Sequence, residues 1–167
     1  GNMGLTHDMR TMVEAADRLR HLADLWFLFI GGGGRMEMVA SMVQDKGLKN
    51  VTMLPYQPQE ALPYSLTCGD ISLVTLEKGI EGLSVPSKLY SSLAAGLAIV
   101  GVVGPGSEVG DVIEEYHCGY RVSQGDVDGL VGAIEALHSD PRLLADMGRR
   151  ARACFEENFT RAMSIER

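Results

Sequence analysis

Residues 79–93 read GIEGLSVPSKLYSSL and gather the groups that a small anion needs. Gly82 and Leu83 offer backbone N–H groups, Ser84 and Ser87 offer hydroxyls, and Lys88 offers a cation. All of them stand at the entry to an apolar helical run, whose first amides have no partner within the helix. Ser84 or the residue beside it is placed to cap that helix, and Pro86 suits its first turn because an N–H there would be unpaired anyway. Lys88 falls in the same turn, against the preference of the helix dipole, which favours cations at the other end. An arriving anion would relieve both; a lysine extending to solvent or to Glu81 is the plain alternative. Glu81, beside Gly82, carries acceptor oxygens of the kind sugar hydroxyls bind.

Two further glycine-rich loops have related chemistry. Gly1-Asn2-Met3-Gly4 leads into a helix that Thr6 can cap, and His7 just beyond has a ring N–H to donate to a ligand oxygen or a place on the surface. Gly31 to Gly34 follow the strand-like WFLFI. A dinucleotide fingerprint would want an acidic residue at the end of the next strand to hold a ribose, and NVTMLPY supplies none. A nicotinamide or flavin cofactor is therefore not expected, and these glycines serve either a ligand or a close approach of backbone.

The elements that position these loops alternate. Runs rich in branched and aromatic residues at 26–30, 50–55, 71–76, 97–103 and 119–122 read as strands. Helical periodicity lies between them. Met9, Met12, Val13, Ala16, Leu19 and Leu22 share one face, Met38, Val39, Met42 and Val43 another, and Leu89, Leu93 and Ala94 a third. Ser107 is positioned to cap a helix with Val109, Val112, Ile113 and Tyr116 inward, and Asp126 precedes a stripe of Leu130, Val131, Ile134 and Leu137. Asp140-Pro141 opens the last, carrying Leu143, Leu144, Met147, Ala151, Cys154 and Phe155. Continuously apolar strands separated by helices predict a Rossmann-like α/β domain, a parallel sheet with helices on both faces, over residues 1–167. No strand precedes GNMGL, so the first β–loop–α unit lacks its strand, as in a fragment of a larger protein.

Composition narrows the partners. The 167 residues are 46% hydrophobic and 22% charged, as in a single globular domain, and the net charge of −7 opposes a sequence-independent grip on nucleic acid. The longest apolar run has strand length, far short of the roughly 20 residues of a membrane span. Cys68, Cys118 and Cys154 have no metal-ligand spacing and read as reduced thiols.

In order and spacing, GNMG-x-x-H, FLFIGGG, NVTMLPYQP, GD-ISLVTL, EGLSVPSKLY, AAG, SEV and the late Asp-Pro helix resemble the C-terminal, donor-binding half of the group 1 glycosyltransferases of the GT-B fold. The resemblance implies a nucleotide-diphosphate sugar as donor substrate, held in a cleft against an N-terminal domain, with no metal and no other cofactor. It places the diphosphate at Gly1, Asn2, Met3 and Gly4 and at Gly82, Leu83, Ser84, Ser87 and Lys88, and the base beside Pro55 and Tyr56. It also implies two glutamates with seven residues between them, which would align with Leu83 and Ser91; neither is glutamate here. A serine at 91 offers a ribose one neutral hydrogen bond in place of charge-assisted ones, which predicts weaker donor binding or a different ribose partner such as Ser92. No catalytic residue is assigned to this half, whose work is to stabilise charge on the departing phosphate. The implied setting is polysaccharide or glycolipid synthesis in the cytoplasm, with any membrane association through the other half and little activity in this half alone. A non-catalytic nucleotide-binding or protein-interaction module, and a sugar-nucleotide epimerase half, are the competing readings.

Overall fold

A computed structural model describes residues 1–80 and 87–159. In chain order the elements are α1 (Met9–Arg18), β1 (Phe27–Ile30), α2 (Met36–Asp45), β2 (Val51–Leu54), α3 (Leu62–Thr67), β3 (Ile71–Thr75), α4 (Ser87–Ala95), β4 (Ala98–Val102), α5 (Glu108–Tyr116), β5 (Gly119–Val122), α6 (Val127–Ser139) and α7 (Pro141–Asn158). All five expected strands form, and all pairing is parallel.

The ladders are two. β1 pairs with β2, and β3, β4 and β5 pair in that order. Between them, at the strands' C-terminal ends, lie residues 1–7: Asn2 bridges Gly32 in parallel fashion just past β1, and His7 reaches Thr75 at the end of β3. Side chains join what the ladders do not. Phe27 and Phe29 share one apolar cluster with Val100, Val102, α1 and α6, whereas Ile99 and Val103 face the opposite way into a cluster with Leu89, Leu93, Val109 and Ile113. The period of two along β4 thus gives each face its own helices, α1, α2 and α6 on one and α4 and α5 on the other. α7 contributes Met147 to the first cluster and Ala151 and Cys154 to the second.

Three local expectations need correction. Asp8, not Thr6, caps α1: its carboxylate accepts from the Thr11 N–H at 3.1 Å and the Thr11 hydroxyl at 2.5 Å. Aspartate is the stronger cap, and the Thr6 carbonyl is taken by the Glu77 N–H at 2.7 Å. Ser107 stands at the N-cap of α5, but its buried hydroxyl makes no capping bond. A short 3₁₀ turn (Gln59–Ala61) and α3 were not anticipated, because Pro58 and Pro63 interrupt any apolar period. Pro63 is tolerated in the first turn of α3, where no N–H is required. Asp126 caps α6 through Gly129 N, and Asp140 caps α7 as expected, through Arg142 N and Leu143 N.

Among the described residues no helix is long and apolar enough to cross a membrane. Cys68 is exposed, and Cys118 and Cys154 are buried as free thiols.

Leu93 is fully buried and anchors α4, the helix that carries Lys88, against the sheet. Leu93→Ala is expected to lower the free energy of unfolding by roughly 2–5 kcal/mol, measured by urea denaturation. An unchanged midpoint would mean that α4 is held by something other than this side chain.

Candidate functional site

The site is built on backbone meeting backbone. Gly31 and Gly33 have φ values of 133° and 129°, which side chains with a Cβ rarely adopt. A Cβ on Gly31 would overlap the Gly1 carbonyl, and one on Gly33 would lie 2.5 Å from Asn2 Oδ1 and 2.6 Å from the Met3 carbonyl carbon. Hydrogen bonds then lace the two loops together. The Met3 N–H donates to Gly32 O at 2.6 Å and the Arg35 N–H to Met3 O at 3.0 Å, while the Gly1 amino group donates to Ile30 O. The Gly31–Gly34 run therefore serves a close approach of chain to chain.

Tyr56 joins from the end of β2. Its Cε2 lies 2.9 Å from where a Gly32 Cβ would be, so the ring rests on that glycine, yet the residue is 62% exposed. Pro55 is exposed beside it.

Lys88 joins from the first turn of α4. Its Nζ donates to Asn2 O at 2.7 Å and lies 2.9 Å from His7 Nε2, with the Lys88 Cε packed on Gly1. The lysine thus folds back onto the first loop instead of extending to solvent. Burial pushes its ammonium below the ordinary lysine range, so an anion beside it would be favoured by the charge it restores. Among the described residues, the carboxylates of Asp8 and Glu77 are engaged by other partners. Asp8 Oδ2 accepts from Gly125 N at 3.2 Å as well as from Thr11, and Glu77 pairs with Arg35 at 3.6 Å.

His7 is only 8% exposed, and its Nδ1 lies 2.6 Å from Thr75 O. Burial lowers its pKa, the Thr75 contact raises it in part, and the Lys88 charge lowers it again. Gly4 supports this turn, its carbonyl accepting from His7 N at 3.2 Å.

Gly1, Asn2, Met3, Gly4, His7, Tyr56 and Lys88 are thus brought into one neighbourhood, with Pro55 at its edge. Glu81, Gly82, Leu83 and Ser84 lie outside the described residues. Ser87 is exposed at the start of α4, and its carbonyl accepts from the Ser91 hydroxyl at 2.9 Å. Ser92, the alternative ribose partner, is corrected: it is 5% exposed and its hydroxyl is 2.6 Å from both Lys88 O and Ser72 Oγ, facing the sheet. Sequence reading missed Asp8, Thr11 and Thr75. The D-x-x-T spacing at 8–11 was the available signal for a capping pair, whereas nothing local points to Thr75.

Gly33→Ala should cost on the order of 2–3 kcal/mol, combining strain at positive φ with displacement of Asn2 and Met3. Thermal unfolding would measure it, and a neutral result would mean that the two loops separate without cost.

A model of the family described as "Glycosyl transferases group 1" matches residues 1–153. The chain is 36% identical over 135 residues to a protein of Escherichia coli (strain K12) named for colanic acid biosynthesis, glycosyl transferase WcaI; the match covers 80% of this chain and 33% of that protein. This chain therefore spans about a third of the length of that relative. Its fold superposes on the C-terminal domain of a glycosyl transferase group 1 family protein, LpcC, from Francisella tularensis with a TM-score of 0.78 at 16% identity, covering 96% of this chain and 85% of that one. It likewise superposes on Anabaena Alr3699/HepE, solved in complex with UDP, with a TM-score of 0.81 at 13% identity, covering 95% and 43%. On the family match and the shared fold, the chain belongs to the group 1 glycosyl transferases.

Proposed function

We propose that this domain holds the diphosphate of a nucleotide-sugar donor and stabilises it as the leaving group of a glycosyl transfer. The observation that carries the reading is the position of Lys88 Nζ, bonded to Asn2 O and facing the first loop with no ion-pairing carboxylate among the described residues. The Asn2 and Gly4 amides, the N-terminal turn of α4 and Lys88 would meet the phosphates, the Gly1 and Met3 nitrogens being engaged by Ile30 O and Gly32 O, and these fixed dipoles and a cation lower the cost of the charge that builds as the sugar departs. Tyr56 is proposed as the platform for the base, since its ring is exposed and fixed at one edge by Gly32. The presence of UDP in the HepE structure supports a uridine nucleotide as first candidate.

The reading calls for no metal. It also calls for a second domain that supplies the acceptor and any general base, and for a strand ahead of Gly1, between β1 and β3, which would complete the Rossmann order from the two ladders. The acceptor class proposed is a growing polysaccharide or glycolipid, in keeping with the name of the WcaI relative. Ser91 replaces the carboxylate that a tight ribose clamp would use, so donor affinity is proposed to be modest.

Calorimetric titration of UDP tests both parts. Lys88→Ala is expected to weaken binding about tenfold or more, about 1.4 kcal/mol, and Ser91→Glu to tighten it. Equal affinity of wild type and Lys88→Ala would overturn the diphosphate assignment; equal affinity of wild type and Ser91→Glu would overturn the ribose assignment.

A further inference from the structure

We propose that His7 is a positioning residue for Lys88, holding the ammonium in its binding orientation through a neutral ring nitrogen without itself touching the ligand. The inference rests on the diphosphate reading. Its physical basis is the direction of each hydrogen bond around the imidazole.

A carbonyl oxygen can only accept, so the 2.6 Å contact to Thr75 O puts the ring proton on Nδ1. Nε2 is then a lone pair, and it lies 2.9 Å from Lys88 Nζ, which as an ammonium can only donate. The second fixed acceptor is Asn2 O, 2.7 Å from the same nitrogen. Two of the three ammonium N–H groups are thereby committed, and among the described residues none accepts the third, which is proposed to meet the anion. With Thr75 fixing the ring and the ring fixing the lysine, β3 sets the direction of a cation carried by α4.

Protonation would reverse the arrangement. An imidazolium presents an Nε2–H to the ammonium, two positive donors at a distance suited to a donor and an acceptor, and Lys88 must swing away. Burial, which disfavours charge on both groups, keeps the ring neutral at ordinary pH. The folded pKa lies below the unfolded one, so the arrangement is intact above about pH 6.5 and is lost as pH falls through the lowered value. Among the described residues, the carboxylates of Asp8 and Glu77 are engaged by other partners. Asp8 is bound by Thr11 and Gly125, Glu77 by Arg35, and the Gly1 nitrogen donates to Ile30 O.

The test is UDP binding from about pH 8 to about pH 5, compared among wild type, His7→Gln, His7→Leu and Lys88→Ala, with circular dichroism confirming folding. The titration of UDP itself is common to wild type and the two His7 variants and cancels in their affinity ratios. Glutamine retains an acceptor for Lys88 but does not titrate. The expected result is that His7→Gln binds within about threefold of wild type at the upper pH and then loses less affinity on acidification, so that the ratio crosses in its favour. His7→Leu, without an acceptor, is expected to bind about tenfold more weakly at the upper pH. A constant ratio of wild type to His7→Gln across the range, or full affinity in His7→Leu, would overturn this role while leaving the diphosphate reading intact. Unchanged affinity in Lys88→Ala would remove the reading beneath it. Should His7→Leu fail to fold, the ratio of wild type to His7→Gln alone decides the matter.

Discussion

Two backbones lie against each other at the top of this fold with no side chain between them, and the site follows from that contact. Because Gly31 and Gly33 leave room, residues 1–3 run alongside the end of β1 and turn the Asn2 carbonyl toward α4. Lys88, whose stem packs on Gly1, finds that carbonyl within reach of its Nζ. Tyr56 settles on Gly32 for the same reason, there being no Cβ to hold it off. A side chain at Gly31, Gly32 or Gly33 would push apart the parts that the site needs together, so the sequence keeps glycine at these three positions, where entropy argues against it.

Charge is managed with comparable economy. The chain is acidic overall, and an anion approaching it meets a repulsive background that a Debye length of roughly 8 Å confines to short range. Among the described residues, the carboxylates of Asp8 and Glu77 are turned to other work. Asp8 ties together α1, the end of β3 through the bond from its own N–H to Thr75 Oγ1, and the loop before α6, while Glu77 answers Arg35. Among the described residues, the result is a local cation whose hydrogen-bond partners are a carbonyl and an imidazole, neither of which neutralises it. Structural ties and electrostatic clearance are thus achieved by the same side chains.

Much of the architecture was legible because it is periodic. Continuously apolar strands and helical stripes announce themselves in one dimension, and Asp126 and Asp140 cap where a rule about short polar side chains says they should. α3 was hidden because Pro58 and Pro63 break the pattern, and the α1 cap was misplaced by two residues because Thr6 and Asp8 both qualify locally. The glycine and lysine loops were recognisable by composition, but their meaning was not. His7 and Lys88 are 81 positions apart, and His7 and Thr75 are 68 apart, so only the fold makes them neighbours. Ser92 illustrates the same limit from the other side. One residue along a helix from Ser91 turns a hydroxyl by about 100°, from the outer surface into the sheet.

The cysteines carry a practical consequence. Burial pushes the thiols of Cys118 and Cys154 up to about 11, so at neutral pH both are protonated as well as enclosed. Cys68, at the end of α3, is exposed. A thiol-directed dye would therefore attach at one place in the native protein without any cysteine being removed, on the element that follows Tyr56. The wild-type chain is in effect already prepared for single-site fluorescent labelling.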